Sequence, residues 1–275
     1  MGTAGFSYAD WRGTFYPEGA REAEFLGYYS RFFNVVELDF TYYRMPTPKT
    51  MKGLCDRTPP GFEFCVKANK AMTHEPPADG EALGETFRAF VDSLEPMVSA
   101  GKLGCVLAQF PFSFKPSSES LDYLAGFKEM CRGLPLVVEY RNSSWVTEST
   151  FEFLKAAGIG FCCVDEPRLR GLMPRVAVTT SRTAYVRFHG RNAAKWWNHE
   201  HASERYDYLY SKEELEEWVP KIVSIDQASD KTYVLFNNCH GGKAARNSLM
   251  MKELLGLGPP VPAGTLPGLD EGGLG

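Results

Sequence analysis

Residues 136–141 read Leu136-Val137-Val138-Glu139-Tyr140-Arg141. A short run of aliphatic and β-branched residues, too short for a helix, stops on a carboxylate and a guanidinium. Outward in both directions the chain repeats that signature: Val35-Val36-Glu37-Leu38-Asp39, Glu63-Phe64-Cys65-Val66-Lys67, Leu107-Ala108-Gln109, Cys163-Val164-Asp165, Tyr185-Val186-Arg187-Phe188-His189 and Leu235-Phe236-Asn237. With the opening residues 2–6, these segments predict eight strands, over 2–6, 35–39, 62–67, 103–110, 136–139, 160–165, 184–188 and 232–237. Amphipathic stretches at 22–33, 48–57, 83–100, 118–131, 147–157, 211–225 and 243–255 predict helices between most of them. The piece between the sixth and seventh strands reads as irregular. Strands alternating with helices predict a parallel sheet buried on both faces.

The count of eight predicts closure into a single (β/α)8 TIM barrel over residues 1–257. An open doubly wound sheet is the alternative, and the absence of a Gly-rich dinucleotide fingerprint after the first strand weighs against it. Residues 258–275 are rich in Gly, Pro and Leu without periodicity and read as a flexible tail.

Composition bounds the function. The 275 residues are 44% hydrophobic and 23% charged, with a net charge of −4, and the pI is about 5.8. Such a balance argues against a surface basic overall and made for nucleic acid or anionic lipid, while leaving room for a local basic pocket. The apolar runs fall far short of the roughly 20 residues of a membrane span, and no basic and apolar leader opens the chain. Seven cysteines without a C-x-x-C read as buried, reduced thiols. Together these predict a cytoplasmic protein with no membrane partner.

Active sites of such barrels lie at the carboxyl ends of the strands. There the sequence places a ring: Glu37, Asp39, Lys67, Gln109, Glu139, Arg141, Asp165, Arg187, His189 and Asn237. Charges are seldom buried unpaired, so the ring reads either as a functional site or as an internally paired network. Glu139 and Asp165 are the candidate acid and base, with Glu37 and His189 beside them. Lys67, Gln109, Arg141, Arg187, Asn237 and Asn238 are candidate substrate ligands. All five histidines follow the third, seventh or eighth strand, and Trp11, Trp145, Trp196 and Trp197 lie in strand-to-helix loops. Tyr8, Trp11, Trp145 and Trp197 are therefore expected to wall the pocket, where aromatic faces suit a planar or sugar ligand.

The loop after the seventh strand carries Arg191, Lys195 and Arg205, and with Arg187 these residues suit an anionic group. His199-x-His201 lacks a third ligand and makes a weak metal pair. A divalent metal held by Glu37, Glu139, Asp165 and His189 remains open as a cofactor.

Several motifs carry a family likeness: Gly5-Phe-Ser-Tyr8, Trp11-x-Gly13-x-Phe15-Tyr16-Pro17, Glu37-Leu-Asp-Phe-Thr-Tyr-Tyr43, Pro59-x-x-Phe62-x-Phe64-x-x-Lys67, Gln109-Phe-Pro111, Glu139-x-Arg141-x-x-x-Trp145, Val186-Arg-Phe-His-Gly190 and Phe236-Asn-Asn238. Over roughly residues 2–255, in order, the chain resembles the YecE-like proteins, the family called domain of unknown function 72. The resemblance implies a TIM barrel and carries no assigned reaction. Within that family a likeness to endonuclease-IV-type barrels implies nucleic-acid binding at the level of fold analogy. The chain departs from the pattern at Asp39, where Asn is expected, at Cys239, and in its longer, Trp-Trp-bearing seventh loop.

Three functions follow. The first is an enzyme of hydrolase or lyase type acting on a polar, anionic small molecule or nucleotide-like group. The second is a nucleic-acid binding or processing barrel. The third is a non-catalytic ligand-binding module.

Overall fold

All four residues of the strand Leu136–Glu139 are buried. Burial on both faces needs helices on one side and a closed, filled interior on the other. A computed structural model, which describes residues 1–258, has this arrangement. Its eight strands are β1 (Gly2–Ala4), β2 (Val35–Leu38), β3 (Glu63–Lys67), β4 (Leu103–Gln109), β5 (Leu136–Glu139), β6 (Gly160–Asp165), β7 (Thr183–Phe188) and β8 (Lys231–Phe236). Each pairs in parallel with the next, and β1 closes on β8 through Gly2 opposite Leu235 and Thr3 opposite Phe236. The fold is a (β/α)8 barrel, and closure rules out the open doubly wound sheet. The tail expected from residue 258 lies, from 259 on, outside the described residues.

The helices are α1 (Glu22–Tyr29), α2 (Phe40–Tyr43), α3 (Pro48–Cys55), α4 (Gly80–Ser93), α5 (Glu95–Ser99), α6 (Ser118–Met130), α7 (Glu148–Ala157), α8 (Lys212–Glu216), α9 (Val219–Gln227) and α10 (Lys243–Leu254). Their starts follow local chemistry. Thr47, Asp79, Ser117, Thr147 and Ser211 each cap a helix with a side-chain oxygen. Gly158 ends α7 in the left-handed region at φ 63°. Two helices expected as continuous are broken. Pro96 starts α5 after a turn at Leu94, and Pro220 sits in the first turn of α9 after Trp218. A proline there removes a helical donor and restarts the helix.

Alternation puts Val36, Phe64, Val106, Val138, Phe161, Val186 and Val234 against the helices, all buried. Cys65, Cys105, Cys162, Tyr185 and Tyr233 lie on the inward faces of their strands and are buried there. All seven cysteines are buried and unpaired. Among the described residues no helix is long and apolar enough to cross a membrane.

Candidate active site

Strand alternation sends every second side chain into the barrel. Glu37 of β2, Lys67 of β3, Gln109 of β4, Glu139 of β5 and Arg187 of β7 therefore share the interior near its carboxyl end. Asp39, Arg141, His189 and Asn237 follow two residues, or one, beyond their strands. Arg187 is the hub. One guanidinium nitrogen donates to Glu139 Oε2 at 2.6 Å and another to Glu37 Oε1. Tyr185 donates its hydroxyl to Glu37 Oε2 at 2.6 Å. Glu37, Glu139, Arg187 and His189 are sealed from solvent.

Above this core lies a tier that reaches solvent. Arg141 Nε sits 2.9 Å from Glu139 Oε1, and Lys67 Nζ sits 3.5 Å from Asp39 Oδ1 and over the Tyr42 ring. The side chains of Arg141, Lys67 and Asp39 are 12%, 13% and 26% exposed, against none for Glu37 and Glu139. Gln109 and Asn237 are half-buried beside them. The cluster is thus closed below and open above.

The electrostatics follow from this layering. Burial pushes the Glu139 carboxyl up, but Arg141, Arg187 and His189 together overcome it and hold the group well below the usual carboxylate range. Burial and the Arg141 guanidinium push His189 down to about 3, against the pull of Glu139, so the imidazole is neutral. The Asn237 amide nitrogen lies 3.1 Å from His189 Nδ1, which puts the ring proton on Nε2, facing Glu139 Oε1 at 3.3 Å. His74, half-buried and packed edge-on against Tyr42, is pushed down to about 4 by burial and by Lys67 and Arg141.

One member of the cluster was missed in the sequence. Cys162 Sγ approaches Glu139 Oε2 at 3.8 Å, so Cys162 faces inward, and alternation carries that face on to Glu166. Glu166 is buried, accepts from the Met173 backbone N–H at 2.7 Å, and brings Oε2 to 3.6 Å from Arg141. Asp165 faces the other way, into the layer behind the barrel. There it accepts from Arg191, from Tyr210 Oη at 2.8 Å and from Trp218 Nε1 at 2.7 Å, with Arg175 Nε at 3.0 Å. The adjacent acids Asp165-Glu166 end a strand buried on both faces, and no apolar/polar alternation in the sequence says which of them turns inward.

The other expected site residues divide. Arg191 belongs to the Asp165 cage and also pairs with Glu214 and Glu217. Trp11 and Trp145 are fully buried wall residues, their indole N–H groups bound to the carbonyls of Cys239 and Phe114. Asn238 is buried against Tyr208 and Asn247. Tyr8 stacks on Trp11 and donates to the Ala4 carbonyl at 2.7 Å. Trp197 is 57% exposed and meets Phe112 edge to face. The expected metal ligands do not gather. Asp165 points away, Arg187 holds Glu37 and Glu139, and among the described residues no three His, Cys, Asp or Glu side chains are placed to hold a metal ion.

Fold and site together define a (β/α)8 barrel with a two-tier carboxylate–guanidinium cluster at its carboxyl-end mouth. The chain belongs to the family described as protein of unknown function DUF72, whose model matches residues 1–268. It is 36% identical to the UPF0759 protein YunF of Bacillus subtilis strain 168, over 87% of this chain and 89% of that protein. The crystal structure of a DUF72 family protein from Thermotoga maritima MSB8 is similar, with a TM-score of 0.86 at 43% identity, covering 93% of this chain and 99% of that one. A DUF72 family protein from Enterococcus faecalis V583 superposes with a TM-score of 0.82 at 27% identity, covering 95% of this chain and 97% of that one.

Proposed function

We propose that the chain is an acid–base enzyme, of hydrolase or lyase type, that binds a small polar anion at the barrel mouth. The observation that carries this reading is the layering of the cluster. Arg187 is sealed between Glu37 and Glu139, whereas Lys67, paired with Asp39, and Arg141, paired with Glu139 and Glu166, keep 13% and 12% of their side chains exposed at the barrel's carboxyl end. Guanidinium and ammonium groups fixed by carboxylates are preorganised to receive phosphate or carboxylate oxygens. Gln109 and Asn237 supply neutral donors to the same ligand. Glu139, ionised and oriented by Arg187, is the base of this reading, and His189, neutral with its proton on Nε2, keeps an uncharged donor 3.3 Å from that carboxylate. Asp39 and Glu37 set the charge around Lys67 and Arg187. Asp165 and Arg191, bound to one another outside the barrel, hold the seventh loop instead. Seven buried, unpaired thiols support a reducing, cytoplasmic setting.

The test is a turnover and thermal-shift screen across phosphate monoesters, carboxylates and short oligonucleotides. The reading expects a hit among the small anions whose stabilisation falls about tenfold in apparent affinity on Lys67→Ala, consistent with loss of one charge-assisted contact. A hit restricted to oligonucleotides, binding that steepens with falling salt, would move the function to nucleic acid. Small-anion responses indifferent to Lys67→Ala and Arg141→Lys would sink the proposed site.

A further inference from the structure

Four carboxyls, Glu37, Asp39, Glu139 and Glu166, converge on three permanent cations, Lys67, Arg141 and Arg187, while His189 stays neutral. A buried cluster with one carboxyl in excess is poised to take up a proton when further negative charge arrives beside it. The geometry says where. Glu37 is bound by two strong donors, Arg187 and Tyr185. Glu139 is gripped by Arg187 and flanked by Arg141 and His189. Glu166 has one backbone donor, from Met173, and its Oε2 is buried with no hydrogen-bond partner among the described residues. That oxygen lies toward Arg141, whose guanidinium spans the gap between Glu139 and Glu166 and reaches the mouth.

Resting on the anion seat proposed above, we propose that an oxyanion bound to Arg141 takes over the charge that Glu166 supplies, and that Glu166 takes up one proton as the ligand binds. The groups facing Glu166 are Arg141 and Glu139 from β5 and its end, while the charge of its chain neighbour Asp165, turned to the other side of the strand, adds to them. Lys67 and His74 lie further out, around Arg141. A bound anion adds negative charge on the Arg141 side and weakens the one cation that favours ionised Glu166. The proton comes from solvent and sits on Oε2. Burial pushes this carboxyl up to about 7, and Glu37 equally, but Glu37 has its two side-chain donors and lies away from Arg141, so the exchange falls to Glu166 and in the physiological range. The ligand class is therefore an oxyanion, carboxylate or phosphate, whose affinity rises as pH falls.

Sulfate is a suitable probe because it does not itself titrate in this range. Calorimetric titration of the full chain at about pH 8, above the free value of the carboxyl, in two buffers of different ionisation enthalpy should show close to one proton taken up per sulfate bound, falling to about half of one at pH 7. The sulfate affinity should fall about tenfold per pH unit above neutrality, the slope of a single linked proton. In Glu166→Gln the proton uptake should vanish and the affinity become flat with pH. The wild-type chain with 13C-labelled glutamate gives a second reading that needs no variant, since sulfate should move the titration of one buried side-chain carboxyl upward. Sulfate binding that is lost in Arg141→Lys but is flat with pH and proton-neutral in wild type overturns the coupling and leaves the seat standing. Sulfate binding that ignores Arg141 and Lys67, or no binding, overturns the seat and the coupling with it.

Discussion

Arg187 is the residue on which the site turns. It is buried and bridges two carboxylates, one on β2 and one on β5. Removing one member of such a cluster leaves the others charged and dry, so Arg187→Met should destabilise by about 3–5 kcal/mol. Urea unfolding checks this, and a loss below 1 kcal/mol would mean that Glu37 and Glu139 are not held as described.

His189 supplies a pH signature. Its folded value is depressed to about 3 by burial and by Arg141, while an unfolded histidine titrates near 6.5. The neutral ring therefore contributes fully above pH about 6.5, and that contribution drains away as pH falls toward 3. The linked loss is on the order of 5 kcal/mol. His189→Gln should flatten the stability curve across that window, and an unchanged acid limb would contradict a buried neutral imidazole. At this scale the sequence was informative where alternation was clear: Glu37, Glu139, Arg187 and His189 each stand two residues from an inward-facing neighbour. It was silent at Asp165-Glu166, because two acids stand side by side at the end of β6 and the apolar run before them carries no contrast between its faces.

The elements show why reading side chains by type alone misplaced several residues. The seventh loop reads as an anion grip, yet its cations are already matched. Arg191 serves Asp165, Glu214 and Glu217, Lys195 pairs with Glu204, and Arg205 lies over the Trp196 and Tyr206 rings. The acids that neutralise Arg191 lie at the end of β6 and in and just after α8, at separations the sequence does not announce, while Glu204 lies in the same loop as Lys195. Asp165 links β6, the Arg191 end of this loop and Trp218 between α8 and α9. Asp165→Asn should cost about 3 kcal/mol through the two guanidiniums left underpaired. It should also speed amide exchange across residues 190–210, while sulfate binding at the mouth persists. Loss of sulfate binding without faster exchange would return Asp165 to the site.

At the scale of the whole molecule, closure of the barrel depends on very close strand contact. A Cβ placed on Gly2 would stand 1.9 Å from the Val35 carbonyl oxygen, where β1 meets β2. Gly2→Ala should therefore destabilise by about 3 kcal/mol or more, read by chemical denaturation, because backbone and not a flexible side chain must move. The barrel itself was legible in the sequence, since eight apolar runs each stopped at a polar residue and alternated with capped helices. What it did not disclose was the depth of each polar residue, and depth separates Arg187, sealed, from Arg141, which reaches the mouth.

The most direct test of the account is a titration of inorganic phosphate followed through the 15N side-chain resonances of arginine and lysine. The two-tier cluster predicts that Arg141 Nε–H and Lys67 Nζ shift together and saturably, with Arg187 and Arg191 nearly still. Shifts confined to surface lysines, or a response from Arg191 and Arg205 in place of Arg141 and Lys67, would contradict an anion seat at the mouth of this barrel.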